Sequence, residues 1–506
     1  MNKELFKELE DLDKKISMIN DITQVLEYDL EVNAPKKASQ ERSKQLAWAS
    51  LEAHKIASSD EMKSLLERLG ASEGNEEGFG ESDYEKALIR ERFKELQKAL
   101  KIPESHIEKK QEILTTSYEK WVEAREKNDF ALFAPYLENV IECLREEANY
   151  LKKPNQSLYD VLLNEYEPGI TSEQLDSIFE QLETSLVPLV AKYKDKDVKT
   201  DFLYQDFDIK KQENFSKQIL REMGFDFDRG TLAIAVHPFT ISLGGDDFRI
   251  TTRYTDPNLC DPLCSTIHEG GHALYEMNSA INEIKGTSLG EGASMGLHES
   301  QSRFWENVIL KNPSFWDNRY EDLQSKFPSQ LNNVSKTDFV KAINKVNPSY
   351  IRVNADEATY NLHIILRYKL EKQLIEGTLK VEDLPEAWNS LFEKYFSIKV
   401  DCESNGCLQD VHWASGLIGY FPTYALGNLY SAQILDKIQQ DFGNREIGDI
   451  IKSDGLGEIS KWLAVNVHSK GRIYSPTVVL KQITNKDLDG NYFTQYLEKK
   501  LEVIFD

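Results

Sequence analysis

Residues 264–278 read Cys-Ser-Thr-Ile-His-Glu-Gly-Gly-His-Ala-Leu-Tyr-Glu-Met-Asn, and they contain the pattern H-E-x-x-H. On a helix, residues four apart project from one face, one turn above the other. His268 and His272 so placed can bind one zinc-like ion. Glu269 is rotated by about 100° from that face and borders it without joining it. From there it can take a proton from a water that a metal has acidified. With nine histidines in 506 residues, the pattern arises by chance in on the order of one or two chains per hundred. The plainer alternative is a pair of surface histidines on an amphipathic helix. Two features favour chemistry. Ile267, Ala273 and Leu274 flank the pattern and predict a buried helix. Gly270 and Gly271 each cost about 0.5–1 kcal/mol relative to Ala inside a helix. Close approach of another segment or of a substrate would offset that cost.

A catalytic metal needs a third protein ligand and one open position. Downstream of the glycine-rich stretch 286–296, Leu297-His298-Glu299-Ser300-Gln301-Ser302-Arg303 predicts a second helix. Either Glu299 or His298 fits the third position by residue type, and spacing leaves both open.

The elements that must position these residues are mostly helical. Leu5, Leu9, Leu12, Ile16 and Ile19 repeat at helical spacing. Ser82 to Glu85 and Thr171 to Gln174 fit the capping box, each just ahead of an apolar-periodic run. The stretches 70–80, 153–155 and 167–169 read as breaks. One region leans to strand: 231–236, 240–243 and 248–252, with Gly244-Gly245-Asp246 where a hairpin turn belongs. The expectation is a small antiparallel sheet before residue 260, and a further short strand near 349–353. No repeat and no long linker divides the chain, so residues 1–506 are expected to form one α-rich domain, with 1–200 as its helical N-terminal part.

Composition narrows the function. A net charge of −24, from 61 basic and 85 acidic residues, disfavours nucleic acid and anionic membrane surfaces as partners. No apolar run reaches membrane-spanning length, and the first residues lack the apolar core of a secretory signal. Cys143, Cys260, Cys264, Cys402 and Cys407 are sparse and odd in number, which points to a reducing, cytoplasmic setting. Cys260 and Cys264, without a second pair, are expected to be buried apolar residues.

Six ordered motifs add a resemblance. They are His237-Pro238-Phe239; Asp247-Phe248-Arg249-Ile250-Thr251; His268 to His272; His298-Glu299-Ser300-Gln301; Ile351-Arg352-Val353-Asn354-Ala355-Asp356; and Gly406-Cys407-Leu408-Gln409-Asp410-Val411-His412-Trp413. With these, the chain resembles the metallocarboxypeptidases of peptidase family M32, the thermostable carboxypeptidase Taq type, over roughly 230–430. The resemblance implies a mainly α fold, a large helical domain with a deep groove and a small sheet along it. It also implies His268, His272 and Glu299 as metal ligands and Glu269 as general base and acid. Arg352 would bind the free C-terminal carboxylate of a peptide, and His412 and Tyr420 would contact the scissile carbonyl or the substrate backbone. One divalent ion is implied, zinc first and cobalt or manganese as alternatives, in a homodimer.

Residue chemistry agrees with these roles while leaving plainer readings open. A planar guanidinium suits a terminal carboxylate, although Arg352 can equally pair with Asp356. His412 can be a core histidine and Tyr420 a packed aromatic. Asp247 and Arg249 are expected to form a supporting ion pair, and His237 has no assigned role. The function expected is removal of C-terminal residues from peptides by metal-activated water. An oligopeptidase cutting short peptides internally is the first alternative, and a non-catalytic metal- or peptide-binding protein the second.

Overall fold

The computed structural model describes residues 2–254 and 258–506. Its internal contacts divide into two compact units, each assembled from three stretches of chain. The first comprises Met1–Leu100, Lys199–Ile343 and Ile434–Lys486; the second comprises Lys101–Val198, Asn344–Gln433 and Asp487–Asp506. Among the described residues, no helix is long and apolar enough to cross a membrane.

The first unit opens with the helix Lys3–Val32, whose N-terminus is capped by Asn2 Oδ1 accepting from the Glu4 amide at 3.0 Å. The predicted stripe faces inward: Leu5, Leu9, Leu12 and Ile16 are buried with Met62, Leu65, Leu88 and Ile89. Both predicted capping boxes form. Ser82 Oγ accepts from the Glu85 amide while Glu85 Oε2 accepts from the Ser82 amide, at 3.2 and 2.9 Å. In the second unit, Thr171 and Gln174 make the same reciprocal pair at the start of Ser172–Tyr193.

The sheet has three strands: β1 (Gly230–Ile234), β2 (Thr240–Ser242) and β3 (Phe248–Thr252), in the order β1-β3-β2. The predicted hairpin is present. β2 and β3 run antiparallel, joined through Gly244 and Gly245, whose φ values of +96° and +60° suit a turn that L side chains resist. The sheet is mixed rather than wholly antiparallel, because β1 lies parallel to β3 with Gly230 opposite Phe248. β1 and β2 are consecutive in sequence but do not pair. The connection through Pro238 carries β2 to the far edge of β3, which leaves β3 central with Phe248 and Ile250 fully buried. The helix Cys260–Ser279 packs on this sheet.

The predicted strand near 349–353 is absent; Arg352–Asn354 forms a 3₁₀ turn instead. Its backbone has a side-chain partner in place of a neighbouring strand. Gln409 Oε1 accepts from the Arg352 amide at 3.0 Å, and Gln409 Nε2 donates to the Tyr350 carbonyl at 3.1 Å. Asp356 then caps the long buried helix Glu357–Glu376, accepting from the Ala358 and Thr359 amides. None of the five cysteines is in a disulfide. Cys260 and Cys264 are half-buried rather than buried, since they lie in the first turns of their helix.

Candidate active site

His268 and His272 stand on the helix Cys260–Ser279, and Glu299 on the helix Met295–Arg303, which Ser294 caps by accepting from the Leu297 amide. Gly271 explains how these helices come close. A Cβ there would lie 2.6 Å from the Gln301 carbonyl oxygen and 2.7 Å from Ser302 Cα. The glycine in H-E-G-G-H therefore admits the backbone of the helix that carries Glu299, the close approach that its intrahelical cost implied.

The result is a compact donor set. One ligand atom from each of His268, His272 and Glu299 lies within 4.8 Å of the others. Glu299 Oε2 is 3.5 Å from His268 Nε2 and 3.4 Å from His272 Nε2. Spacing left His298 and Glu299 open, and the geometry separates them. His298 stacks on the His272 ring, with centroids 4.4 Å apart, and turns Nε2 to Glu276 Oε1 at 2.8 Å. Two imidazole nitrogens and one carboxylate oxygen converging on a common point fit one divalent ion, a donor set of the kind that catalytic zinc uses.

The electrostatics of the cluster follow from burial and from fixed cations. Burial alone would raise the Glu299 carboxyl; Arg303 and the two imidazoles outweigh it and hold its pKa well below the usual carboxylate range. Arg303 Nε donates to Glu299 Oε1 at 2.7 Å, which leaves Oε2 for the histidines. Burial, with His298 beside it, pushes His272 down to about 3, so its ring stays neutral and able to ligate. Glu269 is buried and its pKa is raised, with burial the main cause. The Thr240 hydroxyl of β2 lies 2.6 Å from Glu269 Oε2, so the sheet fixes that carboxylate. Thr240 follows the His237-Pro238-Phe239 motif directly, and its role was not foreseen; nothing in its spacing marks it. His237 itself is exposed between β1 and β2. Asp247 and Arg249 form the expected pair, bidentate at 2.9 and 2.7 Å, with the guanidinium over the Tyr28 ring.

In the second unit, Arg352, His412 and Tyr420 are gathered around Tyr424, which the sequence did not single out. His412 Nε2 is 3.4 Å from Tyr424 Oη, the Arg352 guanidinium lies 5.0 Å from the Tyr424 ring centroid, and the Tyr420 ring is 5.3 Å from it. The ion-pair partner of Arg352 is Asp410 at 3.0 Å, not Asp356, which is engaged in capping. Arg367 takes the other oxygen of Asp410 at 2.6 Å. Burial would raise Asp410, but Arg367 and Arg352 dominate and hold it well below the usual range. The same positive surroundings act on His412: burial and then Arg352 push it down to about 4.

Comparison with known proteins identifies the family. The family model of carboxypeptidase Taq (M32) metallopeptidases matches residues 8–501, well beyond the motif region and into the N-terminal helices. The chain belongs to this family. It is therefore a metal-dependent carboxypeptidase. A Bacillus subtilis protein named carboxypeptidase 1 is 39% identical over 503 residues, covering 99% of this chain and 98% of that protein. A thermostable carboxypeptidase 1 of Pyrococcus furiosus is 35% identical over 495 residues, covering 96% of each. The solved M32 carboxypeptidase of Deinococcus radiodurans R1 superposes with a TM-score of 0.94 at 32% identity, covering 99% of this chain and all of the other.

Proposed function

We propose that His268, His272 and Glu299 hold the divalent ion of this carboxypeptidase, that Glu269 is its general base and acid, and that Arg352 receives the substrate's terminal carboxylate. The observation that carries the reading is the convergence of two imidazole nitrogens and Glu299 Oε2 beside the buried carboxylate of Glu269, which lies outside that donor set. When bound by these residues, a divalent ion would supply Lewis acidity for the scissile carbonyl and would acidify a water.

The chain's own residues do the rest. Glu269 takes the proton from the attacking water and returns it to the leaving amine. Its raised pKa suits both halves of that task, and Thr240 keeps one carboxylate oxygen in a fixed direction. Arg303 holds Glu299 ionised and oriented. Arg352 and Arg367 share the single carboxylate of Asp410, so two guanidiniums face one anion. That surplus of positive charge supports recognition of a carboxylate. His412, neutral by its surroundings, and Tyr420 contact the substrate backbone or the developing oxyanion.

Zinc is the proposed ion, with cobalt or manganese as alternatives that the same donors accept. The substrates are peptides with a free C-terminus. Five cysteines without a disulfide support a reducing, cytoplasmic setting, and the family resemblance supports a homodimer in which residues 1–506 act as one carboxypeptidase domain. The test compares an N-blocked peptide with its C-terminally amidated form. The free acid should lose its last residue and the amide should be cut at least about 30-fold more slowly, the loss of one charge-assisted contact. Equal cutting of the two would point to an internal peptidase.

A further inference from the structure

The two ligand histidines differ in what holds them. His272 Nδ1 is buried and has no protein hydrogen-bond partner. His268 Nδ1 lies 3.0 Å from Glu306 Oε2. Glu306 is a carboxylate fixed from several sides: Lys311 Nζ donates to its Oε1 at 3.0 Å, and Arg303 Nη1 to its Oε2 at 3.3 Å. It belongs to none of the six motifs.

The backbone places it. The helix Met295–Arg303 runs without a break into a π-helical segment, Phe304–Leu310, in which the Lys311 amide bonds the Glu306 carbonyl five residues back at 3.2 Å. Single π turns inside α-helices are uncommon and occur often at functional sites. In a regular α-helix, Glu306 would lie about 10 Å along the axis from Glu299. Seven residues are within about 20° of two full helical turns, so the two side chains share a face, and the two carboxylates end on opposite edges of one imidazole: Glu299 Oε2 at 3.5 Å from Nε2 and Glu306 Oε2 at 3.0 Å from Nδ1. Arg303 lies between them and donates to both.

We infer that Glu306 is a positioning residue for the metal centre: it accepts the Nδ1 proton of His268, fixes that ring's tautomer and orientation, and so presents the Nε2 lone pair to the ion. An ionised carboxylate can only accept, so Nδ1 carries a proton, and in the neutral ring Nε2 is then the nitrogen with the lone pair. The same contact makes the imidazole a better donor to a metal. The inference rests on the ligand assignment proposed above. It makes the two histidines unequal, one held by a carboxylate and the other by packing.

The test is the affinity of the metal-free full-length protein for Zn²⁺, measured by competition with a chromophoric chelator beside the thermal midpoint of the same apo protein. Glu306→Gln keeps the side chain's shape and an acceptor oxygen but removes its charge. It should weaken zinc about 10- to 100-fold with little change in the apo midpoint. Glu306→Asp keeps the charge on a shorter arm, and its affinity should fall between those of Glu306→Gln and wild type; it serves as the second variant should the first fold poorly. Zinc affinity within twofold of wild type in both variants overturns the inference and leaves Glu306 as an ion-pair partner of Arg303 and Lys311 only. His268→Ala is the control for the parent reading. If it loses zinc while Glu306→Gln does not, the ligand set stands and the positioning role falls. If His268→Ala itself keeps wild-type affinity, the ligand set falls and the positioning role with it.

Discussion

Around His268, the carboxylates of Glu269, Glu299 and Glu306 face two imidazoles and the cations Arg303 and Lys311. Around Arg352, two guanidiniums share the one carboxylate of Asp410. The first region has more anions than fixed cations and suits a metal ion. The second has more cations than anions and suits a substrate carboxylate. Burial sharpens both, because an unmatched charge away from water is costly and favours an incoming partner of opposite sign. The regions also differ in construction. The first comes from three neighbouring helical segments within residues 260–311. The second gathers residues from 352 to 424 over the turn 352–354, the helix 357–376, the loop before residue 421 and the helix that follows.

Changes that remove one side of each balance should have effects of distinct kinds. The largest is expected from Glu299→Ala, which takes away one proposed ligand and one of the two carboxylates that Arg303 bonds. Bound metal, read by elemental analysis, and peptide turnover should both fall, turnover by roughly 10³-fold or more. Asp410→Asn breaks the other region from within. It leaves two buried guanidiniums without their counter-charge, and equilibrium unfolding should register a loss of about 3–5 kcal/mol while bound metal stays at wild-type stoichiometry. Arg352→Gln should lower kcat/KM for free-acid peptides by about 30- to several thousandfold, equivalent to roughly 2–5 kcal/mol. Its rate on amidated peptides should hardly change, so preference for the free acid should collapse. Preservation of that preference would remove Arg352 from carboxylate recognition.

The smallest effect is a pH dependence. His412 has its pKa depressed from 6.5 to about 4 in the fold, by burial and then by Arg352. Between these values the unfolded chain binds the proton more readily than the folded one. The stability that neutral His412 contributes is thus fully present above pH 6.5 and is lost as pH falls towards 4. His412→Gln should lack this increment, so its stability relative to wild type should improve by roughly 1–2 kcal/mol between pH 7 and pH 5. Parallel pH profiles of unfolding for the two proteins would contradict a buried neutral His412.

The metal region was readable because its geometry is local. Four-residue spacing places His268 and His272 on one face, and the paired glycines mark the close approach that Gly271 makes to Gln301 and Ser302. The choice of Glu299 over His298 depended on a tertiary contact, the pairing of His298 with Glu276, which no spacing encodes. Glu306 was hidden because its partner His268 is 38 residues away, and Thr240 because its neighbour across the fold is 29 residues away. The hairpin was legible from Gly244 and Gly245, whereas the parallel pairing of β1 was not, since strand order is set by where the connection through Pro238 crosses. In the second region the carboxylate-binding role of Arg352 rested on family resemblance, and its actual partner, Asp410, lies 58 residues along the chain.

The measurement that bears most directly on the proposed chemistry is made on Glu269→Gln: metal stoichiometry by elemental analysis, beside release of the C-terminal residue from an N-blocked dipeptide. The side chain keeps its shape and its place against Thr240, and it lies outside the proposed ligand set. The variant should therefore hold metal at wild-type stoichiometry and lose nearly all turnover, about 10²- to 10⁴-fold. Near-normal turnover with metal bound would contradict Glu269 as the base, and loss of the metal would show that it belongs among the ligands.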